Sequence, residues 1–326
     1  MRDRFRGIVV AVVLAAAGLA GSPLAAEDYP TRPVSIIVPQ PPGGGTDIIA
    51  RIAGAALSKQ LGQPFVIENR TGAGTVVGTA AAAVAAPDGY TLLAGLIANM
   101  AVNPSLFATL SYDPIRDFTP VGMLAEFPFA VVVSNNFPAH SIKDLIALAK
   151  AKPGEINFAS AGNGTGQHLS TELFELMTGI KMTHVPYRGA APAYTDVISG
   201  QTPVFFDNLS SALGQIKGGS VRALAVTGTE RSPQLPEVPT VAESGVPDYQ
   251  YYVWFGLWAP NKTPPPIVEK LYAEVQKALA DPAVKDRIAA DGGVPMHMPL
   301  AAIEPFVKAE IAKWADVIKR AGVTVE

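Results

Sequence analysis

The chain has 326 residues, with 25 basic and 28 acidic side chains, a net charge of −3 and no cysteine. That balance argues against a nucleic-acid partner, which needs a concentrated basic surface. The missing thiols exclude disulfides, thiolate metal sites and a cysteine nucleophile, and the length suffices for two α/β units, each with a core.

The N-terminus sets the compartment. Arg2, Arg4 and Arg6 precede an apolar run over residues 8–20, and small residues follow at Gly21, Ser22, Ala25 and Ala26. The run is too short to span a bilayer, and the whole has the pattern of a secretory signal peptide over 1–26, cut near Ala26. Its removal takes away Arg2, Arg4, Arg6 and Asp3, so 22 basic and 27 acidic residues remain, a net of −5. A weak negative field of this kind still allows a small anionic ligand, because local dipoles act at shorter range.

Strand and helix patterns alternate along the rest, the mark of an α/β fold with largely parallel sheets. Residues 34–38 read as a strand. It runs into Pro39-Gln40-Pro41-Pro42-Gly43-Gly44-Gly45-Thr46-Asp47 and then a helix over 48–61. Three glycines let backbone N–H groups approach a ligand, and the helix start adds partial positive charge, so this turn is an anion cradle. A strand over 65–69, a helix over 75–86 and a strand over 90–95 follow. The turn Gly72-Ala73-Gly74-Thr75-Val76-Val77-Gly78 approximates a dinucleotide fingerprint. Its spacing departs from that pattern, and the next strand ends Ala94-Gly95-Leu96-Ile97-Ala98-Asn99, without the acid that would hold a ribose. It reads as a close-packed turn, with a secreted nucleotide-dependent enzyme as the rival reading. The chain has no Walker sequence and no G-x-S-x-G elbow.

Strands are expected over 119–124 and 129–133, and Ser141 caps a helix over 142–151. A strand over 156–160 ends in a second Gly-rich turn, Ser160-Ala161-Gly162-Asn163-Gly164-Thr165-Gly166, before a helix over 167–177. Two such units, about 120 residues apart, suggest two lobes facing one cleft. His168 lies in the first turn of that helix. With Glu172 it makes an i, i+4 pair, too little for a metal site without further ligands. A strand over 181–185 leads to Tyr187-Arg188-Gly189, where Arg188 is a candidate for bidentate pairing with a carboxylate. A helix over 191–199 and a strand over 203–206 bring the chain to Asp207, at the strand end where open α/β sheets bind ligands; it reads as an organiser of the cleft. A helix over 209–217, a strand over 221–227 and a surface connection over 229–247 follow. Tyr251, Trp254 and Trp258 read as the core of a strand over 251–259. Helices over 264–280 and 301–320 close the chain.

Taken together, several motifs carry a family resemblance: Tyr29-Pro30-x-Arg32-Pro33, Pro41-Pro42-Gly43-Gly44-x-Thr46-Asp47, Val66-Ile67-Glu68-Asn69-Arg70, Ala86-Pro87-Asp88-Gly89-Tyr90, His184-Val185-Pro186-Tyr187-Arg188-Gly189, Phe206-Asp207-Asn208 and Pro236-Glu237-Val238-Pro239-Thr240. In this order they resemble the Bug family, the extracytoplasmic solute-binding receptors of tripartite tricarboxylate transporters. The resemblance implies an α/β type II periplasmic-binding-protein fold, two lobes joined by two crossover strands around a cleft. Lobe 1 is expected over 27–125 plus 231–326 and lobe 2 over 126–230. It also implies that Pro41, Pro42, Gly43, Gly44, Gly45, Thr46 and Asp47 form one carboxylate-holding set. Ser160, Ala161, Gly162, Asn163, Gly164, Thr165 and His168 form the other. Gln40 stands where related chains often carry an aromatic residue. The implied protein is a periplasmic monomer without cofactor or catalysis. It would hand a small organic carboxylate (di-, tri- or aromatic) to integral-membrane transporter subunits, or present it to a signalling partner.

Overall fold

The computed structural model describes residues 28–324; the signal peptide read over 1–26 lies outside them. The chain begins with β1 (Val34–Val38), α1 (Gly45–Leu61), β2 (Phe65–Asn69), α2 (Val76–Ala83) and β3 (Thr91–Leu96). β1 pairs in parallel with both β2 and β3. A π-helical turn over Ala98–Val102 and the short α3 (Asn103–Leu106) precede the long β4 (Phe118–Ser134).

β4 is one strand of 17 residues where the sequence predicts two. Glu126 and Pro128 interrupt the apolar pattern and suggest a break. They are tolerated because the strand changes partners there. Residues up to Pro128 pair with β9 (Tyr252–Pro260), and from Phe129 on they pair with β7 (Val204–Asn208) and β8 (Val221–Val226). Beyond the switch, Ala130, Val131, Val132 and Val133 are fully buried. Val131 and Val133 face one apolar cluster, Ala130 and Val132 another. A strand covered on both faces reads as a continuous apolar run.

In chain order, β4 is followed by α4 (Ile142–Ala151), β5 (Asn157–Ser160), α5 (Gly166–Thr178), β6 (Thr183–Pro186) and α6 (Ala190–Ser199), then β7, α7 (Leu209–Lys217) and β8. β5 pairs in parallel with β6 and β7. After β9, which also pairs with β3, come α8 (Pro265–Ala280), α9 (Pro282–Ala290), β10 (Val294–Pro295) and α10 (Leu300–Ala321). The sheet order is β2-β1-β3-β9-β4-β7-β5-β6. One large apolar cluster joins Leu93 and Met100 to Phe158, Phe174 and Phe206, with Trp254, Trp258 and Trp314 among its members. Burying side chains of this size stabilises by about 1.5–3 kcal/mol each. Among the described residues, no helix is long and apolar enough to cross a membrane.

Candidate functional site

A cavity of about 390 Å³ opens where the sheet halves meet. Its lining carries no charged side chain among the described residues. Two helix starts reach it, Gly45 of α1 and Gly166 of α5, and neither start has a side-chain cap. Amides left over at a helix start carry partial positive charge and suit an anion. Both starts rest on β9 and the residue before it. A Cβ added at Gly166 would stand 2.4 Å from Tyr251 Oη, and one at Gly45 3.3 Å from Phe255 Cζ. Position 166 therefore has to be glycine for the helix to reach the cavity this closely.

The first cradle is held from behind. The Asp47 carboxylate is buried and takes hydrogen bonds from Gly43 N–H, Arg51 Nε and Asn69 Nδ2, each at 2.9 Å. Burial alone would push this carboxyl up, but the three donors and the Arg51 charge outweigh it and hold it down at about 2. Asn69 also donates to the Gln40 carbonyl at 3.0 Å, and Thr46 Oγ1 donates to Gln40 Oε1 at 2.6 Å. Gln40 lines the cavity, and with its oxygen taken by Thr46, its NH2 is the end left to donate. Asp47 and Thr46 thus shape the loop from a layer behind the cavity wall. Pro41, Pro42, Gly43 and Gly44 form the turn between Gln40 and α1.

The second cradle has a comparable backing. Asn163, Gly164 and Thr165 line the cavity. Thr165 Oγ1 donates to the Gly162 carbonyl at 2.7 Å, and Gly164 N–H donates to His168 Nδ1 at 3.2 Å. Ser160 Oγ accepts from Gly162 N–H at 3.1 Å and meets His184 Nε2 at 2.6 Å. Ser160 and His168 are buried, so like Asp47 they build the loop from the rear, with Ala161 in the turn between them.

Asp207 is fully buried and is not part of the wall. It accepts from Gln167 Nε2 at 3.1 Å and from Ser211 Oγ, and Gln167 lines the cavity. Burial pushes its carboxyl up against those donors. Arg188 is exposed and lies outside the lining. Sequence reasoning did not place Thr75, Asn103, Phe107, Phe129, Gln167, Asn208, Tyr251 or Phe255 at the site. Thr75 and Gly74 belong to the turn read as close-packed. Tyr251 is a core residue, as expected, with Trp254 and Trp258, and in addition lines the cavity. Among the described residues, no three metal-ligating side chains come together.

A model of the tripartite tricarboxylate transporter family receptor matches residues 49–323. The chain is 40% identical over 319 residues to the protein BugT of Bordetella pertussis, covering 98% of each. Among solved structures it is similar to R. palustris Rpa4515 with adipate, at 39% identity and a TM-score of 0.80 over 91% of this chain and 99% of that one. It is also similar to MatC (Rpa3494) of Rhodopseudomonas palustris with bound malate, at 35% identity and a TM-score of 0.75 over 89% of this chain and 100% of that one. A third likeness is to the periplasmic binding protein BugD, at 35% identity and a TM-score of 0.76 over 91% of this chain and 100% of that one. With its mixed α/β fold of the periplasmic-binding type, the chain belongs to the Bug family of tripartite tricarboxylate transporter receptors.

Proposed function

We propose that this chain is a periplasmic receptor that captures a small organic carboxylate and delivers it to the integral-membrane subunits of a tripartite tricarboxylate transporter. One observation carries the reading: the uncapped starts of α1 and α5 open on one cavity whose described lining is uncharged. Backbone amides can balance a carboxylate there without a buried counter-ion. The relatives solved with adipate and with malate support the ligand class. The lobes are residues 27–125 plus 231–326 and residues 126–230. A ligand touching both helix starts favours the arrangement in which both sets of contacts are made, and that arrangement is what a membrane partner distinguishes. The protein acts as a monomer, by binding and release rather than by chemistry.

Calorimetry on the chain from Glu27 onward tests this against a panel of mono-, di-, tri- and aromatic carboxylates. At least one acid should bind. Asp47→Ala should weaken it about tenfold or more, because the loop loses the anchor of Gly43 and Asn69 and with it its preorganisation. No binding across the panel, or wild-type affinity in Asp47→Ala, would overturn the reading.

A further inference from the structure

The cavity has a third wall, which the two anion cradles do not explain. The loop before α2 holds four consecutive residues at positive φ: Gly72 at 143°, Ala73 at 42°, Gly74 at 59° and Thr75 at 82°. Ala73 and Thr75 carry side chains in a backbone region that disfavours them, and such residues persist where their surroundings hold them in place. Asn103 of α3 supplies the hold. Its Nδ2 lies 3.1 Å from Gly74 O, Thr75 Oγ1 and Tyr112 Oη. Gly74 O can only accept, and Tyr112 Oη spends its own proton on Asn99 O at 2.8 Å. The amide nitrogen must therefore face the loop, which fixes the orientation of the whole side chain.

That orientation decides what the cavity meets. Asn103 is 3% exposed and lines the cavity, and every hydrogen bond that its side chain makes with the described residues is donated by Nδ2. The atom left for the cavity is Oδ1, an acceptor. Thr75 is buried, also lines the cavity and accepts from Asn103 through Oγ1, so its own O–H proton is left to donate. An acceptor and a hydroxyl donor side by side fit an alcohol, which donates to Asn103 and accepts from Thr75. A carboxylate oxygen would set acceptor against acceptor at Asn103.

Resting on the carboxylate-receptor reading, we propose that Asn103 and Thr75 read a hydroxyl group on the ligand, which makes the preferred substrate a hydroxycarboxylate. Calorimetry with matched pairs tests it: malate against succinate, 3-hydroxybutyrate against butyrate, and 4-hydroxybenzoate against benzoate. In the pair that fits the cavity, the hydroxy acid should bind about 10- to 100-fold tighter, since the deoxy acid leaves a buried acceptor unmet. Thr75→Val keeps the branched shape and should shrink that ratio, with a melting curve to verify folding. A deoxy acid that binds as tightly as its partner in every pair would overturn the hydroxyl reading and leave the carboxylate receptor standing. So would a ratio unchanged in folded Thr75→Val. If no acid of the series binds while another acid of the wider panel does, the hydroxyl reading falls alone; if nothing in the panel binds, both readings fall.

Discussion

His168 and His184 stack face to face, with ring centroids 3.7 Å apart and planes 11° apart. Phe158 packs beside the pair, its ring centroid 5.0 Å from that of His184 and 6.2 Å from that of His168. Each imidazole secures one end of the second cradle: His184 meets Ser160, and His168 takes the Gly164 amide. Because His168 Nδ1 accepts that N–H, its proton sits on Nε2, 3.4 Å from Glu172 Oε1. The Gly164 amide is therefore committed to shaping the loop.

This stack makes the loop acid-sensitive. Burial lowers the His184 pKa, the neighbouring His168 lowers it further and Glu172 opposes them, leaving it at about 4 against an ordinary 6.5. The folded ring refuses a proton that the unfolded ring takes up below 6.5. Stability contributed here is complete above pH 6.5 and is lost as pH falls from 6.5 towards 4. Melting temperature should decline across that window. His184→Phe keeps a flat ring in the stack and has nothing to protonate, so its curve should be flatter there while starting lower, since Ser160 loses a partner. An acid slope identical to wild type would remove His184 as the group responsible.

Gly78 separates a packing turn from a nucleotide turn. A Cβ there would lie 2.3 Å from Arg70 O and 2.9 Å from Pro39 Cα, both backbone atoms that cannot swing aside. Gly78→Ala should cost about 1–3 kcal/mol, as overpacking does, and lower the melting temperature by several degrees. Pro39 opens the first cradle, so carboxylate affinity should fall with it. Adding NAD to the wild-type chain should leave the melting curve where it was. An unchanged melting point in the variant, or stabilisation by NAD, would bring the dinucleotide reading back.

Much of this architecture was legible because local signals agreed with the tertiary outcome. Ser141 caps α4 by accepting from Asp144 N–H, and the expected range of 142–151 holds to the residue. The range of α7, behind the Asn208 cap, holds likewise. Gln40, Gly45 and Asn163–Thr165 reach the cavity because a strand–turn–helix unit delivers its turn to the strand's carboxyl end. Other features had weak signals or none. α9 opens on Asp281-Pro282, a start signature, with Asp281 accepting from Ala283 N–H, yet its apolar stripe is too thin to be read as a helix. The π-helical turn and α3 bring Asn99 and Asn103 under the Thr75 loop through contacts of 20 or more residues in separation. Phe129 and Tyr251 reach the cavity because β4 passes from one sheet half to the other at Phe129, and Tyr251 immediately precedes β9, the partner of β4 in the first half. No periodicity in the sequence encodes that crossing.

β9 is tied to the last helix through one carboxylate. Glu310 Oε2 accepts from Trp254 Nε1 on β9 at 3.0 Å and from Trp314 Nε1 on α10 at 3.1 Å. Both indoles are almost completely buried. Lys313 Nζ lies 3.6 Å from the other carboxylate oxygen, so the charge is partly balanced. Glu310→Leu would leave two buried N–H donors without an acceptor, at about 1–3 kcal/mol each. Glu310→Gln keeps an oxygen that can accept from both indoles and should cost much less. Urea unfolding should therefore rank wild type above Gln and Gln well above Leu. Equal losses in the two variants would mean that the carboxylate charge, rather than the paired indole bonds, joins α10 to β9.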